Sequence, residues 1–474
     1  MKRIIVSAIL VISLLIGCML SMTACRKEMP NFEMPEGGYD GSEVTIVFYH
    51  TMGQGLQGVL KSYIEYFNTL YPNITIEHVQ VGGYDDVRDQ ISTELTVQEQ
   101  PNIAYCYPDH VALYNVANAV VTLDQFIENR QEITRADGTK EIMGLTEEQI
   151  ADFVEGYWNE GKSFGDDKMY ALPLSKSTEL LFYNKTFFDA NGLTPPKTWD
   201  EMETLCRKIK SIDNNSIPLG YDSESNWFIT MAAQYGSDYT SLNPDDHFLF
   251  DNETNIGFVK EFRQWYKEGL VTTQSIFGAY TSNLFTEQEE GAVKSYMSIG
   301  SSGGTAHQLP TQNGDGQYPF EVGIASIPQV NPEAPKAISQ GPSLCIFQNE
   351  NPQEVIASWL FMKFLTTDFQ FQADFSMISG YVPVIKSAKN DPFYQDFLSK
   401  ADGYDGLTAL GASVALAQED AYFTSPAFNG STVAREQVGG LLQKCMTENW
   451  TEAELDSKIR ALFAAAIQQC EYRS

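Results

Sequence analysis

A chain of 474 residues is longer than one ordinary core requires and suits two domains of usual size. Its 43% hydrophobic and 20% charged residues are those of a folded globular protein, which excludes disordered and fibrous classes. A formal net charge of −31 argues against nucleic acid as a partner, because the phosphates there must be neutralised by cations.

At the N-terminus, Lys2 and Arg3 precede residues 4–17, which carry no charge. That pattern predicts an export signal over 1–24, too short for a membrane span. Cys18 follows Leu15-Ile16-Gly17, and Cys25 follows Met22-Thr23-Ala24. Small residues before a cysteine resemble the bacterial lipobox, which implies a lipid-anchored protein on the outer face of the cytoplasmic membrane. Cys25 is the preferred lipidated residue because the apolar run stops there and Arg26-Lys27 follow; Cys18 is the alternative. Residues 25–42 lack periodicity and are rich in Pro, Gly and acids, so they read as a flexible tether. The other cysteines (Cys106, Cys206, Cys345, Cys445 and Cys470) have no metal-site spacing, and neither a metal nor a cofactor is expected. Cys445 and Cys470 could pair as a disulfide or stay as buried thiols.

From Glu43 the texture becomes α/β. Residues 44–49, 74–79 and 103–107 are predicted strands, separated by helices over 56–70 and 84–97. Such alternation implies a parallel, doubly wound sheet whose ligand-binding edge carries loops 49–55, 82–86 and 107–110. A second α/β texture starts near Met169. It has extended segments at 170–174 and 179–183, then helices at 199–209, 227–234, 254–268, 352–366 and 451–471.

Residues 167–200, DKMYALPLSKSTELLFYNKTFFDANGLTPPKTWD, resemble a pattern of the extracellular solute-binding proteins of family 1. Residues 285–304, 322–328 (VGIASIP) and 379–384 (SGYVPV) follow in the order found there. The resemblance covers about residues 43–470. It implies two α/β lobes, each a doubly wound, mostly parallel sheet, joined by a three-strand hinge crossed near 170–174, 329–338 and 364–370. The implied N-terminal lobe is 43–170 plus 337–366, and the C-terminal lobe is 171–336 plus 367–474. It further implies a monomer that takes a sugar-like ligand between the lobes and delivers it to the permease of an ABC transporter.

Sugar recognition needs aromatic platforms and planar or hydroxylic hydrogen-bonding groups. On the resemblance, the first lobe supplies Tyr49, His50, Gln54, Tyr84 and Asp109. The second supplies Ser177, Thr178, Trp227, Ser301, Ser302, Gly341 and Tyr381. The run Phe48-Tyr49-His50-Thr51-Met52 is similar to one in glycerol-3-phosphate binders, but Gly53 replaces the Glu expected next. Ser425–Gly430 stands where those proteins carry an Arg, and Arg435 resembles a different position. A neutral mono- or oligosaccharide is therefore expected ahead of a glycerol phosphate or glycerophosphodiester. A secreted carbohydrate-active hydrolase is the reading from another class. Gly300-Ser301-Ser302-Gly303-Gly304 fits G-x-S-x-G, yet only His307 follows Ser302, leaving no room for a Ser, acid, His order.

Overall fold

Val44, Ile46, Phe48 and His50 alternate inward along the first strand, β1 (Val44–His50). The chain then forms α1 (Gln54–Leu70), β2 (Ile74–Gln80), α2 (Tyr84–Glu94), β3 (Ile103–Cys106) and α3 (Pro108–Asn115). Leu60, Ile64, Phe67 and Leu70 form the buried stripe of α1 at helical spacing. The computed structural model describes residues 31–473 apart from 288, 402, 404 and 405. The expected signal peptide, Cys18 and Cys25 lie outside the described residues.

After β4 (Leu172–Pro173) come β5 (Glu179–Asn184), α4 (Trp199–Ile212), β6 (Leu219–Tyr221), α5 (Glu224–Tyr235), α6 (Glu253–Lys267), β7 (Val271–Thr273), β8 (Met297–Ser301) and β9 (Val322–Ser326). The chain closes with β10 (Ser343–Ile346), α7 (Pro352–Thr367), α8 (Phe369–Ser379), α9 (Leu407–Ala417), α10 (Ser431–Thr447) and α11 (Glu452–Arg473). Helix starts follow local chemistry. Thr198 and Glu201 form a reciprocal capping box on α4, and Ser223, Asn252 and Asn351 cap α5, α6 and α7.

Two five-stranded sheets result, in the orders β2-β1-β3-β10-β4 and β9-β5-β8-β6-β7. In each, two of the four pairings are parallel and two antiparallel, so the sheets are mixed rather than mostly parallel. Every antiparallel pair includes β5 or β10, the strands that follow the passages of the chain from one sheet to the other. Because β1, β2 and β3 are parallel, their C-terminal ends share one edge, as the sequence predicts. Helix α7 is buried on nearly every face and packs on β1, β4 and β10.

Three expectations need correction. Residues 31–42 are not a free tether: they lie along the first sheet's lobe. Phe32 is buried and stacks on Phe126 at 5.0 Å, and the strap's backbone is bonded by the side chains of Gln125, Gln348 and Gln353. Assigning everything after 366 to the second lobe is too sharp, since α8 packs on α1 as well as on α9, with Phe371 against Tyr63 and the Tyr63 hydroxyl donating to Asp374 at 2.6 Å. Residues 170–174 contribute β4 to the edge of the first sheet rather than only a crossing. Cys445 and Cys470 are both buried free thiols.

Candidate functional site

The two lobes meet at the shared edge of β1, β2 and β3. Tyr84, first residue of α2, stacks on Tyr107 at 4.4 Å and 20°, with Tyr105 parallel to it at 6.2 Å. Tyr381, from the turn after α8, closes on this stack and raises the phenol pKa of all three by proximity, after the larger effect of burial. All four therefore stay neutral. The Tyr84 and Tyr105 hydroxyls are buried without a hydrogen-bond partner of good geometry among the described residues. The Tyr381 ring fits because residue 303 is glycine: a Cβ there would lie 2.7 Å from its Cζ.

Beside the tyrosines is a recess lined by Tyr107 and Asp109 from the first lobe and by Tyr239, Gln340, Ser431 and Arg435, among others, from the rest of the chain. Its enclosed volume is about 70 Å³, room for roughly five water molecules. Thr432 donates to Asp109 across the gap at 3.3 Å, and Arg88 of α2 lies 3.4 Å from Glu436 of α10. The Oε1 atom of Gln340 is buried and unpaired among the described residues. Arg435 donates to the Asn226 amide oxygen. Behind Asn226 is Glu179, which burial raises to a pKa of about 7 while the Tyr221 hydroxyl donates to it at 2.5 Å.

Of the residues singled out in the sequence, Tyr84, Asp109 and Tyr381 converge here. Ser301 reaches the same region, its hydroxyl 3.2 Å from that of Ser177. Gln54 is exposed at the start of α1, whose next residue, Gly55, faces Ile378 of α8. Other residues are committed elsewhere. Trp227 is fully buried, its ring sandwiched by Phe262 at 3.8 Å and Tyr221 at 4.9 Å, so neither face can serve as a sugar platform. Its helix, α5, is apolar on several faces and lies inside the second core. His50 is fully buried because it shares the inward parity of Phe48. It bonds His78 at 3.0 Å, accepts from Met52 N–H, and is pushed down to about 4 by burial. The Tyr49 hydroxyl is taken by Glu94 and Gln90 of α2.

Ser177, Thr178, Ser302 and Gly341 hold the crossing segments together. Ser177 and Gln340 exchange backbone bonds, Thr178 donates to Ile338 O at 2.9 Å, and Ser302 N–H donates to Thr178 O at 2.8 Å. Gly341 has φ +98, and a Cβ would meet Ser175 O at 2.6 Å. Ser302 is buried at the start of a 3-10 turn (Ser302–Gln308), where the hydrolase elbow would need an exposed nucleophile and an α-helix. Tyr105, Tyr107, Tyr239, Gln340 and Arg435 were not singled out as site residues. Tyr105 in β3 and Tyr107 just after it belong to the same strand end that presents Asp109.

Two lobes closing on a shared aromatic and polar interior define a two-lobed solute-binding protein. Residues 62–399 match the bacterial extracellular solute-binding proteins, and the chain belongs to that family. It is 24% identical over 383 residues to the sn-glycerol-3-phosphate-binding periplasmic protein UgpB of Shigella flexneri, covering 77% of this chain and 80% of that one. The same values hold for UgpB of Escherichia coli strain K12. Among solved structures, UgpB from Mycobacterium tuberculosis in complex with glycerophosphocholine superposes with a TM-score of 0.70 at 17% identity, covering 90% of this chain and 99% of that one. The cyclic alpha-maltosyl-1,6-maltose binding protein from Arthrobacter globiformis gives 0.67 at 16% identity, covering 91% and 99%. The family and these relatives are binding proteins. No helix among the described residues is long and apolar enough to cross a membrane.

Proposed function

We propose that this protein is the capture subunit of an ABC importer. It takes a carbohydrate between its lobes without altering it, works as a monomer, and hands the sugar to the permease. The observation that carries the reading is the group of four tyrosines drawn from both lobes beside a polar recess. Apolar ring faces suit the C–H faces of a sugar, while unpaired hydroxyls and amides suit its oxygens. The lobes comprise 43–170 with 337–366 and 171–336 with 367–474, amended by the docked strap, by β4, which joins the first sheet, and by the shared packing of α8. Lipidation at Cys25, with Cys18 as alternative, holds the protein at the outer face of the membrane.

A second reading, a glycerol phosphate or glycerophosphodiester, draws support from Arg435. This guanidinium lines the recess and makes no ion pair among the described residues, and the relatives above include proteins named for such ligands. Calorimetry with glucose, maltose, maltotriose, sn-glycerol 3-phosphate and glycerophosphocholine separates the two. The account expects binding of a sugar with no turnover. Tyr84→Ala and Tyr381→Ala should each weaken it by about 1–3 kcal/mol through lost ring contact and buried area. Binding of a phosphate ligand alone would select the second reading, and sugar affinity unchanged in both variants would remove the site.

A further inference from the structure

The strap at 31–42 changes how far the body can stray from an anchor. Its contacts span the sequence: Phe32 N–H donates 2.8 Å to the side chain of Gln348, 316 positions away, and Gln353 both accepts from Asp40 N–H and donates to Gly38 O. At the strap's first described residue, Asn118 donates to the Asn31 side chain at 2.7 Å. Twelve residues read as linker in the sequence are thus part of the lobe.

From this docking we infer that the body is held close against the lipid surface on a leash of only a few residues, with the Asn31–Asn118 corner of the first lobe facing the bilayer. This rests on the proposed lipidation of Cys25. Six residue steps separate Cys25 from Asn31, and a fully extended chain spans at most about 3.3–3.6 Å per residue, so the corner lies within roughly 20 Å of the anchor. A tether free to residue 43 would reach about three times as far. The chemistry of the corner agrees with the orientation. A recess there is lined by Asn31, Asn115, Asn118, Gln125, Lys168 and Gln348, among others, and no carboxylate lines it. In a chain with formal charge −31, a recess whose own lining carries Lys168 and no carboxylate adds no repulsion of its own toward an anionic bilayer.

The test uses the full lipidated chain in phosphatidylcholine/phosphatidylglycerol vesicles carrying acceptor-labelled lipid. A donor dye is placed at Val116→Cys, two residues from Asn118 and 63% exposed, while the five described native cysteines are buried. Energy transfer to the bilayer should be high. It should fall at least twofold when thirty Gly/Ser residues, with a root-mean-square span of about 30 Å, are inserted between Pro30 and Asn31. Freeing the strap with Phe32→Ala and Gln348→Ala should also lower it. Transfer unchanged by either alteration, in protein that remains on the vesicles, overturns the inference while leaving the anchor intact. Failure of both Cys25→Ala and Cys18→Ala to release the protein overturns the anchor itself. Release by Cys18→Ala alone lengthens the leash and overturns the inference only.

Discussion

Lys176→Met is expected to destabilise the protein by about 3–5 kcal/mol, because it strands a buried carboxylate. The Lys176 side chain is 1% exposed and its ammonium is paired with Glu160, itself 7% exposed, whose other oxygen accepts from Ser339. This ion pair sits where the crossing segments meet: Lys176 exchanges backbone bonds with Val382, and Ser177 does so with Gln340. Taking both charges out of water is costly, and their mutual attraction at contact distance offsets that cost only while both remain. Replacing the pair together, Lys176→Met with Glu160→Leu, should recover most of the loss. Chemical denaturation of the three proteins checks this. A single-variant loss below about 1 kcal/mol would mean that water reaches the pair and screens it.

Trp227→Ala should cost about 3–5 kcal/mol of stability, the usual range for truncating a fully buried aromatic. The ring lies between Phe262 and Tyr221 and is inaccessible to solvent. Trp227→Phe should cost much less, since the indole N–H has no partner among the described residues and only volume is lost. Neither variant touches the tyrosine cluster, so the affinity of whatever folded protein remains should be unchanged. Urea titration together with calorimetry separates the outcomes. A Trp227→Ala protein that is fully stable but fails to bind would return this residue to the cleft.

The contrast between Trp227 and Tyr84 shows what was legible in the sequence. The alternation of strands and helices over 44–107 gave the parallel edge, and the resemblance to the family picked Tyr84 and Asp109 from the loops on that edge. Trp227 lies on a helix, ESNWFITMAAQY, whose apolar residues do not confine themselves to one face, and its partner Phe262 comes from a separate helix. Only the packed structure tells which side of it meets solvent. His50 was readable in hindsight, because strand parity groups it with Ile46 and Phe48 rather than with Tyr49. The strap was not readable. Its backbone partners are glutamine side chains far along the chain, and side-chain bonding of this kind leaves no periodicity. Arg435 resembles a position other than that of the phosphate-binding Arg, and its place in the recess depends on how α10 meets α3 across the gap.

The central claim is that a ligand between the lobes draws them together, since contact with both lobes favours only the closed state. Small-angle X-ray scattering tests it most directly. The radius of gyration would be measured without ligand and with each of glucose, maltose, maltotriose, sn-glycerol 3-phosphate and glycerophosphocholine. The account predicts that a compound shown by calorimetry to bind will lower the radius of gyration, and that Tyr84→Ala will blunt the change at equal ligand concentration. Identical scattering profiles with and without a compound at saturating occupancy would contradict it.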